Sequence, residues 1–217
     1  MLISFDIFRK FGNSLINPSM RITTHTLVIL GFLLFNNQPA FAQSMILSKG
    51  SKAPVFSAKA SEAGKEFDFS LKKALAKGPV VLYFYPSAYT GGCDLEAHTF
   101  ADYKDSFTAA HATIIGVSAD DIERLKSFSS SPEYCAGKFP VASDPSGQIA
   151  ASYGLRIKPP QAGVKDVRGE QVTHGFIPRT TFVLNKKGEI VAVFSSETDH
   201  IAPDEHVRRS LAIVRGL

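Results

Sequence analysis

The chain has 217 residues, 44% of them hydrophobic and 20% charged, with a formal net charge of +4. That balance is that of a folded protein with one ordinary α/β core, and it excludes a disordered or collagenous chain. The charge is too weak a bias to argue for a nucleic-acid partner.

Residues 1–42 read differently from the rest. After Met20 and Arg21 come nine uncharged, mostly apolar residues, Leu27 to Phe35, then Ala40-Phe41-Ala42 in the small-x-small form of a signal-peptidase site. We expect a leader over 1–42, cleaved after Ala42, and a single domain over 43–217. Nine residues fall short of the roughly 20 that a membrane-spanning helix needs, so no membrane attachment is expected after cleavage. Removing residues 1–42 takes Arg9, Lys10, Arg21 and Asp6 and lowers the formal charge from +4 to +2. Export to the periplasm or beyond would place Cys93 and Cys135 where a disulfide is allowed. On the cysteine count alone, a plain structural bridge stays open.

Along the mature chain, the turn Ala63-Gly64-Lys65 before Phe67-Asp68-Phe69 reads as a hairpin, and SLKKALAKG as a short helix stopping at Gly78. Pro79 to Tyr85 is an almost wholly apolar strand of the kind buried on both faces. Past Cys93, Phe100, Tyr103, Phe107 and Ala110 recur at threes and fours, which predicts one amphipathic helix. A second buried strand spans Thr113 to Val117, followed by a helix whose start is marked by Asp120 and Asp121. Strand, helix and strand make a parallel βαβ unit. A short strand from Phe139 to Ala142, a helix over Pro145 to Tyr153, a hairpin of Thr180–Leu184 with Ile190–Phe194, and a last helix with Val207, Leu211 and Val214 on one face complete the order. Between Lys158 and Pro178 lies a long Pro- and Gly-rich loop. The order predicts an α/β fold with a mixed central β-sheet flanked by helices, and it resembles the thioredoxin-like fold.

Cys93 stands where the loop YPSAYTGG passes into a helix. There, free backbone N–H groups and the positive end of the helix dipole favour the thiolate, so a thiol acidity below the free value of about 8.5 is expected. Gly91 and Gly92 have no side chains to obstruct another molecule's approach. The alternative, an inert buried cysteine, fits poorly with these neighbours.

Pro86, Thr90 and Cys93 form P-x-x-x-T-x-x-C, which resembles the active-site signature of peroxiredoxins. Glu96 repeats a frequent C-x-x-E, Ala53-Pro54-x-Phe56 resembles the usual opening, and Arg179 in R-T-T-F matches the start of a late strand. The chain is most similar to the bacterioferritin-comigratory or PrxQ group, in particular its exported bacterial members. The resemblance implies that Cys93 is the peroxidatic nucleophile, Thr90 orients the peroxide, Pro86 shields the pocket, and Arg179 supplies positive charge. It departs from the pattern at Gly91, where many relatives carry proline, and at His98, where some carry the resolving cysteine. Cys135 is then the remaining resolving candidate, in a segment whose Ser129-Ser130-Ser131-Pro132 and Gly137 are poor helix formers.

The implied activity is reduction of hydrogen peroxide and small organic hydroperoxides, with recovery by a thioredoxin-like or other dithiol reductant, in a monomer or weak dimer and with no cofactor. A buried, static Cys135 would instead leave a one-cysteine peroxidase that uses an external thiol. A non-enzymatic stress or interaction protein of the same fold is the third reading. A metal site pairing Cys93 with His98 is disfavoured, because five helical positions are about 140° apart. Glu96 is equally readable as a pocket hydrogen-bonder or an exposed carboxylate. His111, His174, His200 and His206 read as solvated singles, and Asp120-Asp121 as a helix start.

Overall fold

The computed structural model describes residues 45–217, so the expected leader lies outside the described residues. Seven strands form one mixed sheet in the order β2-β1-β5-β4-β3-β6-β7. β1 (Ser57–Glu62) and β2 (Lys65–Ser70) are the expected hairpin. β3 (Val80–Phe84) and β4 (Thr113–Ser118) pair in parallel, as do β4 and β5 (Val141–Ser143), while β6 (Thr180–Leu184) runs antiparallel to both β3 and β7 (Ile190–Ser195).

The alternation of β3 explains the two layers. Val81 and Tyr83 point to one face, where Phe100, Phe107, Phe128, Val207 and Leu211 cover them. Val80, Leu82 and Phe84 point to the other, against Leu71, Leu75, Ala150 and Tyr153. A strand buried on both faces needs an unbroken apolar run, which is what Pro79 to Tyr85 supplies. The first face carries α2 (Gly91–Asp102), α4 (Ile122–Ser130) and α6 (Pro203–Val214), and the second carries α1 (Leu71–Leu75) and α5 (Gln148–Ser152). In mid-strand, Gly116 is required by close approach: a Cβ there would lie 2.6 Å from Cζ of Tyr83.

Two expectations need correction. The single helix expected after Cys93 is broken at Tyr103 into α2 and α3 (Lys104–Ala109). At the break, the Lys138 ammonium donates to the Ala101 carbonyl (3.0 Å), in the last turn of α2. The strand expected from Phe139 begins only at Val141, because Phe139 is a wholly buried ring of the α2 layer and Pro140 has no N–H to pair.

Candidate active site

Topology brings the expected site residues together. The parallel strand β3 ends at Phe84, whose register partner is Thr180 at the start of antiparallel β6. Pro86 to Cys93 therefore leave the sheet at the same end where Arg179 enters it. This is the edge of an open α/β sheet, outside the carboxyl ends of its parallel strands, where ligands commonly bind.

Cys93 is the third residue of α2, and Thr90 is its N-cap. The Thr90 hydroxyl does not cap the helix; it donates instead to the Ser87 carbonyl (2.7 Å) and lies against the Cys93 sulfur. Arg179 Nη2 donates to Cys93 Sγ at 3.2 Å, and its Nη1 pairs with Glu96, one turn further along the same helix. Cys93, Glu96 and Arg179 are all buried. The space over Gly92 is taken by the protein itself, since a Cβ there would lie 3.2 Å from Arg179 Nη2 and 3.5 Å from Pro203. Gly91 faces open space. Pro86 is half-buried, and with Phe176, Ile177 and Pro178 it lines an open groove of about 310 Å³ on the long-loop side of the site.

The electrostatics correct one expectation. Burial, the largest influence, pushes the Cys93 thiol above its ordinary range. The Arg179 charge and the Ser87 backbone pull it down, and Glu96 adds to the rise. A sulfur sealed to 2% exposure loses more hydration than the helix start and one shared guanidinium return in the closed state. Glu96 is itself pushed up to about 7 by burial against the opposing pull of Arg179. The reading of Glu96 as a pocket residue therefore holds, and the exposed reading does not.

Cys135 is fully buried and unbonded, within the same aromatic cluster as Cys93, and burial pushes its thiol well up. Tyr134 beside it stacks on Phe128 at 5.0 Å and meets Tyr89 edge-on at 5.2 Å. The segment is thus packed rather than loose, despite its weak helix formers.

Three polar residues differ from their sequence reading. Asp121 is the N-cap of α4, accepting from the Arg124 N–H (2.8 Å), but Asp120 turns inward and is wholly buried. His174 is not a solvated single; its Nε2 lies 2.7 Å from Asp120 Oδ1. His206 is wholly buried between Thr181 (2.9 Å) and Ser196 (3.0 Å). His174 and Asp120 lie 54 residues apart and His206 and Thr181 lie 25 apart, so no local spacing signals these pairs. His98 stays on the surface, bonded to the Glu133 carbonyl. Among the described residues, no group of His, Cys, Asp and Glu is arranged to hold a metal ion.

The model of the AhpC/TSA family matches residues 49–193. A chloroplastic peroxiredoxin Q of Triticum aestivum is 31% identical over 172 residues, covering 79% of this chain and 68% of that protein. A putative peroxiredoxin of Mycobacterium tuberculosis is 31% identical over 147 residues, covering 68% of this chain and 84% of that one. Among solved structures, peroxidoxin BcpB of Mycobacterium tuberculosis superposes with a TM-score of 0.64 at 29% identity, covering 79% of this chain and 98% of that one. A Xanthomonas campestris peroxiredoxin Q gives 0.54 at 27% identity, covering 73% and 89%.

Proposed function

The chain belongs to the AhpC/TSA family and is a peroxiredoxin, a thiol-dependent peroxidase, and on that premise we propose that Cys93 is the sulfur that peroxide oxidises. The observation that carries this assignment is the Arg179 guanidinium 3.2 Å from a sulfur at a helix start. As peroxide enters, the Cys93 thiolate attacks the terminal oxygen of ROOH. The S–O bond forms, the O–O bond breaks, and the alkoxide leaves as ROH with the proton the thiol gave up. The sulfur is oxidised by two electrons to a sulfenic acid and the peroxide is reduced.

Each neighbour has a task in that step. Arg179 stabilises the thiolate and then the charge moving onto the peroxide oxygens. Thr90, whose proton is spent on the Ser87 carbonyl, offers lone pairs to the peroxide O–H and so orients it. Pro86, with no N–H and a fixed φ, is a dry wall of the entrance.

Cys135 then resolves the sulfenic acid. Its thiolate attacks the Cys93 sulfur, the S–S bond forms, and the hydroxyl leaves as water with the Cys135 proton. Because Cys135 is packed under Tyr134 and Phe128, both the first turn of α2 and the Cys135 segment must open for the sulfurs to meet. A thioredoxin-like dithiol restores the two thiols. The complete burial of Cys135 is also what favours the second reading, a one-cysteine cycle closed by an external thiol. An exported setting follows from the leader-like residues 1–42 and is checked by the N-terminus of the protein recovered outside the cytosol.

The test uses two variants and one mass map. Cys93→Ser should abolish peroxide consumption, while Cys135→Ser should still form one sulfenic acid per chain. Oxidised parent should carry a Cys93–Cys135 bridge. Turnover undiminished in both variants would remove the assignment, and sulfenic acid without any bridge in the parent would select the one-cysteine cycle.

A further inference from the structure

Behind the loop that presents Thr90 and Cys93 lies a polar cluster that none of the steps above uses. Ala88 is held at both ends: its N–H donates to Asp120 Oδ2 at 2.8 Å, and its carbonyl accepts from Arg124 Nη2 at 2.9 Å. On either side, the Ser87 hydroxyl donates to Asp120 Oδ1 (3.0 Å), and the Tyr89 carbonyl accepts from the Val167 N–H (2.9 Å). The Tyr89 ring lies 3.5 Å from the Arg168 guanidinium carbon. Tyr89 itself has φ 60, a left-handed conformation that costs a non-glycine residue of order 1–3 kcal/mol and persists only where its surroundings over-determine it.

Arg124 is the hub of these surroundings. Its Nη2 donates to Asp166 Oδ2 (2.8 Å), its Nη1 to Glu170 Oε2 (3.4 Å), and its Nε stands 2.8 Å from Asp120 Oδ1. Its side chain is 13% exposed, so these contacts are made largely out of water. His174 closes the cluster from the long loop. Its Nδ1 faces the Gly175 carbonyl (2.8 Å) while its Nε2 faces the Asp120 carboxylate (2.7 Å), so both ring nitrogens have acceptors.

The loop fixed in this way sets the direction of the chemistry. The Ser87 carbonyl is what turns the Thr90 hydroxyl. We propose that Arg124 is a positioning residue for peroxide reduction: by holding the Ala88 carbonyl while Asp120 holds the Ala88 N–H, it fixes the turn that aims the Thr90 hydroxyl and the Cys93 sulfur at one point. This rests on Cys93 being the oxidised sulfur and Thr90 the orienting hydroxyl.

The test is made in the Cys135→Ser chain, where the reaction stops at the sulfenic acid, by comparing two rates at Cys93: oxidation by hydrogen peroxide and alkylation by iodoacetamide. Misaligning a reacting pair by about an ångström can cost on the order of a hundredfold, so Arg124→Gln should slow oxidation by about ten- to a hundredfold. Alkylation, which needs a thiolate but no aimed hydroxyl, should be unchanged or faster, and Arg124→Lys should recover part of the oxidation rate. Oxidation within about threefold of the parent, or an equal fall in both rates, overturns the proposal. If Arg124→Gln does not fold, Asp166→Asn releases the guanidinium from one of its anchors and is judged by the same two rates. A parent inert to peroxide would instead remove the assignment of Cys93, and the proposal with it.

Discussion

One guanidinium serves two groups. Arg179 touches the Cys93 sulfur with one nitrogen and Glu96 with another, and the three are shut away from water. Glu96 therefore competes with the thiolate for the same positive charge, and its own charge disfavours ionisation of Cys93. Glu96→Gln keeps an oxygen that can accept from Arg179 but removes that charge. The expected outcome is a Cys93 thiol that titrates lower than in the parent, read from thiolate absorbance in the ultraviolet. The sign for stability follows the same group. Its folded value, about 7, lies above the ordinary 4.5, so its contribution is present below 4.5 and is lost as pH rises through about 7. Of these residues, Cys93, Thr90 and Arg179 could be read from the motif and its resemblance. The Glu96 reading stayed open because a carboxylate on an otherwise ordinary helix face gives no sign that a distant strand will bury it. The depressed thiol acidity expected at a helix start did not survive burial, which a linear sequence does not display.

At the scale of elements, periodicity served well where a strand or helix has one environment along its length. β3 and β4 are continuous apolar runs because both faces are covered, and α6 shows its buried stripe plainly. It served poorly where one residue interrupts the pattern, as at Tyr103, where the apolar spacing runs on through a break between α2 and α3. The Cys135 segment shows the limit most clearly. Its serines and glycine predict looseness, yet Tyr134 closes it with two aromatic contacts, at 5.0 and 5.2 Å. Such pairs contribute about 0.5–1.5 kcal/mol each, so Tyr134→Ala should lower stability by about 1–3 kcal/mol. It should also speed formation of the Cys93–Cys135 disulfide several-fold, because the opening that precedes it costs less, while leaving the first oxidation of Cys93 near the parent rate. Denaturant unfolding and a time course of quenched, non-reduced peptide maps give the two readings.

Across the whole molecule, the strand order was not legible. The sequence shows a βαβ unit and two hairpins, but β1 pairing antiparallel with β5 is a contact across about 80 residues that no local pattern encodes. The same long-range closure buries His206, on the inner face of α6, near the Arg179 charge, and burial together with that charge lowers its titration to about 4. A depressed histidine stabilises the fold above its ordinary 6.5, and that contribution is lost as pH falls through about 4. The shift corresponds to roughly 3 kcal/mol at about 1.4 kcal/mol per unit. His206→Asn should therefore flatten the loss of stability between pH 6.5 and 4, measured by urea unfolding across that window. Arg179 brings one last consequence, since its second partner rides on the helix that Cys93 occupies but a turn deeper. In the proposed resolution by Cys135, the first turn of α2 peels away to deliver its sulfur while Glu96 stays behind as a berth for the guanidinium. On that route the guanidinium keeps one carboxylate partner while the sulfur is away, and the returning sulfur finds its counter-charge already moored.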